Sequence, residues 1–525
     1  MSELLDALDR LKRVRPPDAG LLPLLDRLSA EPLDAAGLAR FHDALLFLCA
    51  YPPSTAVRKR AGRLLDGFAG RVAGLDDRAP LDDPEVSGIA GAPVSMAYSF
   101  PIARFLASRF PGRLTIAWDE LENAERLAAG LPRFLPMLPE ESLADANVPY
   151  ESWVRNAVPP GLTDAEWLLS RFASLPNPPP EKAELFEALG LPLRFDPGDT
   201  WASRTRLRVP VPRADLSPPV PRRDVDLARQ LGAPPRSIER LSAAEGETLL
   251  DFARAAMAVR YRELHGFTHG DPRSVFRADA GRGVEIFVAG LAPEARLPLR
   301  AGLAAFLFRN GVPVGYGDAF ALFERLDVTF NVFPAFREGE AAWLYARLLA
   351  FYRELLSVTA FFVDPYQIGA GNEEALDSGA FWFYRKLGFR ALRPELEELA
   401  RREEARAAAD PAHRSGKRVL ARLSEGGLVY EGPGSEPGAW DRFHIRTLCL
   451  ASAGAPLLSE RLRRAKRGRD ELGYLALLRR DRALRARMLE LVSRNPDSLS
   501  VVRSAEGPAA RRRDVRWSRP STQER

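Results

Sequence analysis

Two residues, Asn310-Gly311, restrict this chain more than any other feature, because each side of them carries a run of β-forming residues. Asn and Gly accept the positive φ of a type I′ turn, so AAFLFR (304–309) and VPVGYGDAFALF (312–323) are predicted to fold back on each other as a hairpin. VEIFVAGL (284–291) before the pair and LDVTFNVF (326–333) after it have the same make-up and extend the hairpin into an antiparallel meander. The period then changes. In PAFREGEAAWLYARLLAFYRELL the residues Ala342, Tyr345, Leu348, Leu349 and Tyr352 share one helix face, VTAFFV (358–363) reads as a buried strand, and SGAFWFYRKLGF (378–389) reads as another helix. A meander followed by strand and helix in alternation makes an α+β (mixed α/β) domain.

At 525 residues the chain has room for several cores. Residues 1–205 read as a helical N-terminal domain, with amphipathic stretches at 34–50, 55–74 and 163–174 separated by prolines. Seven prolines between 210 and 235 give the segment 206–235 the composition of an extended linker or a strapped loop. Ser242 and Glu245 form a capping box that opens the mixed domain, residues 236–435. A basic helical segment, 436–505, and a tail, 506–525, follow.

The two cysteines, Cys49 and Cys449, sit in apolar surroundings and form neither a disulfide framework nor a metal pair, which fits buried thiols in a reducing compartment. The first residues lack an uninterrupted apolar stretch, and no run approaches the roughly 20 residues of a membrane span, so the expected location is the cytoplasm without membrane insertion. Net charge is +5, but residues 456–525 hold 19 Lys and Arg against 9 Asp and Glu. RLRRAKRGR (461–469) and ARRRDVRWSR (510–519) are either solvated faces or contacts for nucleic-acid phosphates.

In VFPAFREGEAAWL (332–344) small residues stand at a helix start, where unpaired N–H groups and the helix dipole favour an anion. In AFWFYRKLGF (380–389) four aromatics surround one hydroxyl, that of Tyr384, and the stretch ends on Gly-Phe. The order of elements and these two motifs resemble the GNAT-type N-acetyltransferases over roughly residues 242–392. In that family a phosphate-cradling loop of pattern Arg/Gln-x-x-Gly-x-Gly/Ala precedes a helix, and a later helix ends in Tyr-x-x-x-Gly-Phe. Gly339 and Ala341 fit the loop, Phe336 holds its first position, Arg337 comes one residue late, and Glu340 places an acid inside it.

The resemblance implies a GNAT-like acyltransferase domain whose co-substrate is acetyl-CoA or another acyl-CoA. Cofactor contacts are then expected from Val332, Phe333, Arg337, Glu338, Gly339, Ala341 and Ala342. The family's Asn-x-x-Ala lead-in has Asp377 and Ala380 at its spacings, with Asn372 five residues earlier. Tyr384 takes the role of general acid toward the departing thiolate. Helix-forming PELEELARREEARAAA (394–409) replaces an expected strand after Phe389, leaving only GLVYEG (427–432) extended.

Asp327, Thr329 and Asn331 alternate with apolar residues, so one face of their strand is polar, and Thr329 and Asn331 are expected to meet the acceptor. Asp327, Glu324 and Asp364 are the candidates for a base. His265 and His269 are spaced like a metal pair but lack a third ligand, and no metal is expected. The reaction expected is acyl transfer to the amine of a small molecule or peptide. The alternative is a GNAT-like scaffold without chemistry that binds a partner, with nucleic acid at the basic C-terminus.

Overall fold

The computed structural model describes residues 2–15, 19–135, 149–441, 445, 448 and 456–493. The Asn310-Gly311 turn forms with φ of 51° and 77°, and Arg309 pairs directly with Val312 across it. A side chain at Gly311 would lie 1.9 Å from the carbonyl oxygen of Val209, so glycine serves here both for its φ and for close approach of the proline-rich segment.

Three short strands, β1 (Val94–Met96), β2 (Leu114–Ile116) and β3 (Leu193–Phe195), form a small antiparallel sheet in the order β1-β3-β2. The N-terminal part is expected to be mostly helical, and this small sheet adds to its helices. Three residues are too few to show a period in the sequence. The large sheet contains β4 (Ser237–Arg240), β5 (Gly270–Gly281), β6 (Val284–Leu291), β7 (Ala301–Arg309), β8 (Val312–Leu322), β9 (Arg325–Val328), β10 (Asn331–Val332), β11 (Ala360–Val363), β12 (Arg390–Ala391) and β13 (Leu428–Glu431). Its order is β12-β13-β11-β9-β8-β7-β6-β5-β4, with β10 on β8. β5 is not among the strands expected from the sequence. Its turn to β6 is Arg282-Gly283, with Arg282 at φ 57°, an uncommon residue for that position.

The one parallel contact among the described strands joins β9 to β11, linked by the 16-residue helix Ala341–Leu356. Helix Ala243–Ala258 begins at the Ser242/Glu245 capping box. The GLVYEG stretch becomes β13, inserted between β11 and β12 and antiparallel to both. The protein is thus a mixed α+β structure with one large sheet and flanking helices, and no described helix is long and apolar enough to cross a membrane.

The proline-rich segment lies strapped to this sheet. Asp215 and Ser217 accept from Arg309, Val220 N–H donates to Glu340 at 3.1 Å, and Arg222 donates to the carbonyl oxygen of Trp382. The N-terminal helices reach the hairpin as well: the Asn310 amide donates to Ala50 O at 2.8 Å, and Arg58 donates to Asn310 O at 3.2 Å. In the C-terminal segment the Tyr474 hydroxyl donates to Leu299 O, while Arg485 pairs with Glu324. Buried apolar residues from Leu5 to Met488 form one continuous core. ARRRDVRWSR and Cys449 lie outside the described residues, and Cys49 is buried.

Candidate functional site

β9 and β11 run parallel only from Arg325↔Ala360 to Asp327↔Phe362, and then part. The cause is local on both sides. Residues 329 and 330 interrupt the line between β9 and β10, which resumes against β8 alone, and beyond Val363 the chain turns away through the 3-10 helix Pro365–Ile368. Gly317 permits the interruption, since a Cβ there would sit 2.1 Å from Thr329 O. Two strands that begin paired and then splay leave a wedge between them.

That wedge is a cleft of about 860 Å³. One side is the stretch from Thr329 to Pro334, and the other carries Tyr366, Asn372, Ala380 and Tyr384. Ala341 stands at its end, at the start of a helix whose N-cap, Glu340, makes no side-chain cap. A helix start carries N–H groups without intrahelical partners and favours an anion. Glu85 and Arg204, from the part of the chain to which the sequence assigned no role, complete the wall together with Arg260 and Arg262.

Tyr384 is 3% exposed, and its ring packs against Tyr345, Phe383 and Phe389. Burial pushes its hydroxyl far above the ordinary tyrosine range, so it stays protonated at neutral pH. Asp318, on β8, lines the same cleft. Burial raises its carboxyl from 3.8 to about 6, against the opposing influence of nearby His265. It is ionised at neutral pH yet holds a proton far better than an exposed aspartate.

The sequence did not single out Asp318. Its signal was the run Gly315-Tyr316-Gly317-Asp318, in which glycine alternates with polar-tipped residues, so that β8 is bare on one face and presents Tyr316 and Asp318 on the other. The acids named instead face elsewhere. Asp327 pairs with Arg300 and Arg325 at 2.8 Å each. Glu324 is taken by Arg485 of the C-terminal segment. Asp364 accepts from Tyr366 N–H as a helix cap. None of the three lines the cleft.

Of the expected cofactor contacts, Val332, Phe333, Arg337, Ala341 and Asn372 line the cleft, as do the expected acceptor contacts Thr329 and Asn331. The Thr329 hydroxyl accepts from Asp318 N–H at 2.8 Å and so secures the strand interruption. Asn372 caps the helix Glu373–Asp377 by accepting from Ala375 N–H. Arg337 is bound by Glu374 at 2.7 Å and Glu85 at 3.1 Å.

Glu338, Gly339, Ala342 and Asp377 do not line it. Glu338 turns to Lys12 and Arg13, and Asp377 pairs with Lys417. Gly339 faces the N-terminal helices, where a Cβ would meet the Tyr51 hydroxyl at 2.8 Å. Ala342 is buried behind the helix start.

Glu340 also points away from the cleft. It is 1% exposed and lies 3.6 Å from both Arg309 and Arg282, so the acid inside the loop does not oppose an anion there. His265 and His269 lie with ring centroids 4.7 Å apart and ring planes tilted by 51°, and no group of three metal-ligating residues occurs among the described residues. A second groove, about 1330 Å³, carries part of the basic C-terminal face, including Arg463, Lys466 and Arg467. Some of its charge serves the fold: Arg296 donates to Arg469 O, and Lys466 to Arg300 O.

No family model, curated protein or solved structure matches the chain.

Proposed function

We propose that the protein is a GNAT-like, acyl-CoA-dependent N-acyltransferase. The observation that carries this reading is the splayed parallel pair β9/β11, whose cleft brings together an uncapped helix start at Ala341, a buried tyrosine and an aspartate with an elevated pKa. Among the described residues the strand edge from Thr329 to Val332 has no strand partner on the β11 side, and can offer its backbone groups to the amides of an extended thioester arm. The helix start receives the diphosphate.

Holding amine and thioester together in the cleft supplies proximity. The amine nitrogen attacks the thioester carbonyl, a C–N bond forms and the C–S bond breaks. Asp318 takes the proton from nitrogen, and Tyr384 gives its hydroxyl proton to the thiolate. No acyl group is attached to the protein at any stage.

The test is thermal denaturation of the full chain with CoA or acetyl-CoA. Ligand at about 100 times its dissociation constant adds about 2.7 kcal/mol to the native state. Ala341→Asp abolishes this gain while keeping the fold, because an acid is favourable at a helix start but occupies the place of the phosphate. Absence of any shift at millimolar CoA refutes the reading. It would favour a binding scaffold without chemistry, to which one feature already points: Arg337 and Glu338 are both paired within the chain.

A further inference from the structure

Guanidinium groups repel one another, and where water has little access a cluster of them needs anions to hold it. Arg204, Arg260 and Arg262 all line the cleft and lie within electrostatic reach of one another. Arg204 is 4% and Arg260 5% exposed. Arg204 donates to Glu85 O at 2.6 Å and stands 3.9 Å from Asp43. Arg260 donates to Ala256 O and lies over the Phe333 ring, 4.2 Å from its centroid, while Arg262 donates to the Tyr316 hydroxyl. Neither Arg260 nor Arg262 makes an ion pair among the described residues. The buried Nε and Nη2 of Arg204 and the buried Nε of Arg260 have no hydrogen-bond partner among the described residues.

Among the described residues the carboxylate of Asp43 stands nearest the cluster, at 3.9 Å from Arg204, while Glu85 binds Arg337 and Glu263 accepts from Ser99 N–H at 2.8 Å. We propose that Arg204, Arg260 and Arg262 form an anion pocket for the carboxylate or phosphate of the acceptor, which is therefore an amine that itself bears an acidic group. The assignment to the acceptor rests on the acyl-transfer reading. In that reading the diphosphate of CoA lies at the Ala341 helix start, whereas Arg262 is joined to Tyr316, which shares a face of β8 with Asp318. Residues two apart on a strand are about 7 Å apart, a distance one small molecule spans with an acid at one end and an amine at the other.

Calorimetric titration of the full chain with inorganic phosphate, with L-glutamate and separately with CoA tests this. Phosphate and L-glutamate are expected to bind the wild type and to bind Arg260→Met at least about tenfold more weakly, the loss of one charge-assisted hydrogen bond, with CoA affinity unchanged. Arg262→Gln, at an exposed position, weakens the same two ligands in case Arg260→Met is poorly folded. Undiminished binding in both variants, or no binding of either anion to the wild type, overturns the proposal. Parallel loss of CoA affinity assigns the arginines to the phosphates of CoA and overturns it too. Binding of both anions that is lost in Arg260→Met, in a protein that ignores CoA, upholds the pocket and sinks the acyl-transfer reading.

Discussion

Replacing Asp318 with Asn tests the cleft through stability as well as rate. In the folded chain the Asp318 carboxyl titrates at about 6 instead of 3.8, and each unit is worth about 1.4 kcal/mol. The ionised side chain therefore costs the native state about 3 kcal/mol. The sign follows from which state holds the proton. Below pH 3.8 both states are protonated and the group contributes nothing. Between 3.8 and about 6 the unfolded chain ionises while the folded one keeps its proton, so stability falls as pH rises, and above 6 the full penalty is present. Asparagine has the same shape and no charge. Urea unfolding of wild type and Asp318→Asn from pH 4 to 8 should show curves that meet near pH 4 and separate until the variant is more stable by up to about 3 kcal/mol at pH 7. Other titrating groups are common to both proteins and cancel in the difference. Turnover in the same variant should fall by roughly 10² to 10⁴, as for loss of a general base. A stability difference that does not change over this range would refute the argument, since it would mean that Asp318 is solvated as an ordinary surface acid.

Tyr384→Phe removes only a hydroxyl, so stability should change by no more than about 1 kcal/mol and the CoA-induced thermal shift should persist, while turnover falls by about 10² or more; an unchanged rate would reduce Tyr384 to a packing residue. Arg309→Met leaves Glu340 buried without its more deeply buried partner and should cost about 3–5 kcal/mol in chemical denaturation. A loss below about 1 kcal/mol would show that Arg282 alone suffices to hold that carboxylate.

Local chemistry determined a large part of this protein without help from the rest of the chain. Asn310-Gly311 set a hairpin because the permitted φ values of two adjacent residues are a local property, and Ser242 with Glu245 set a helix start for the same reason. The helical spacing in Ala341–Leu356 and the aromatic cluster around Tyr384 could likewise be read from a few consecutive residues. What could not be read was direction. Asp327, Glu324 and Asp318 are all acids on or beside neighbouring strands of one sheet, and only the arginines brought from positions 300, 325 and 485 decide that two are neutralised while the third faces the cleft. Gly339 looked like an opening for a phosphate, but the space beside it is filled by Tyr51, 288 positions earlier in the chain. The wedge itself needs two separate local interruptions, at residues 329–330 and past Val363, which lie side by side only once β9 pairs with β11. Period, turn and cap are written in neighbouring residues; which charge partner a side chain meets and how much solvent it loses depend on segments that come together only in the tertiary fold.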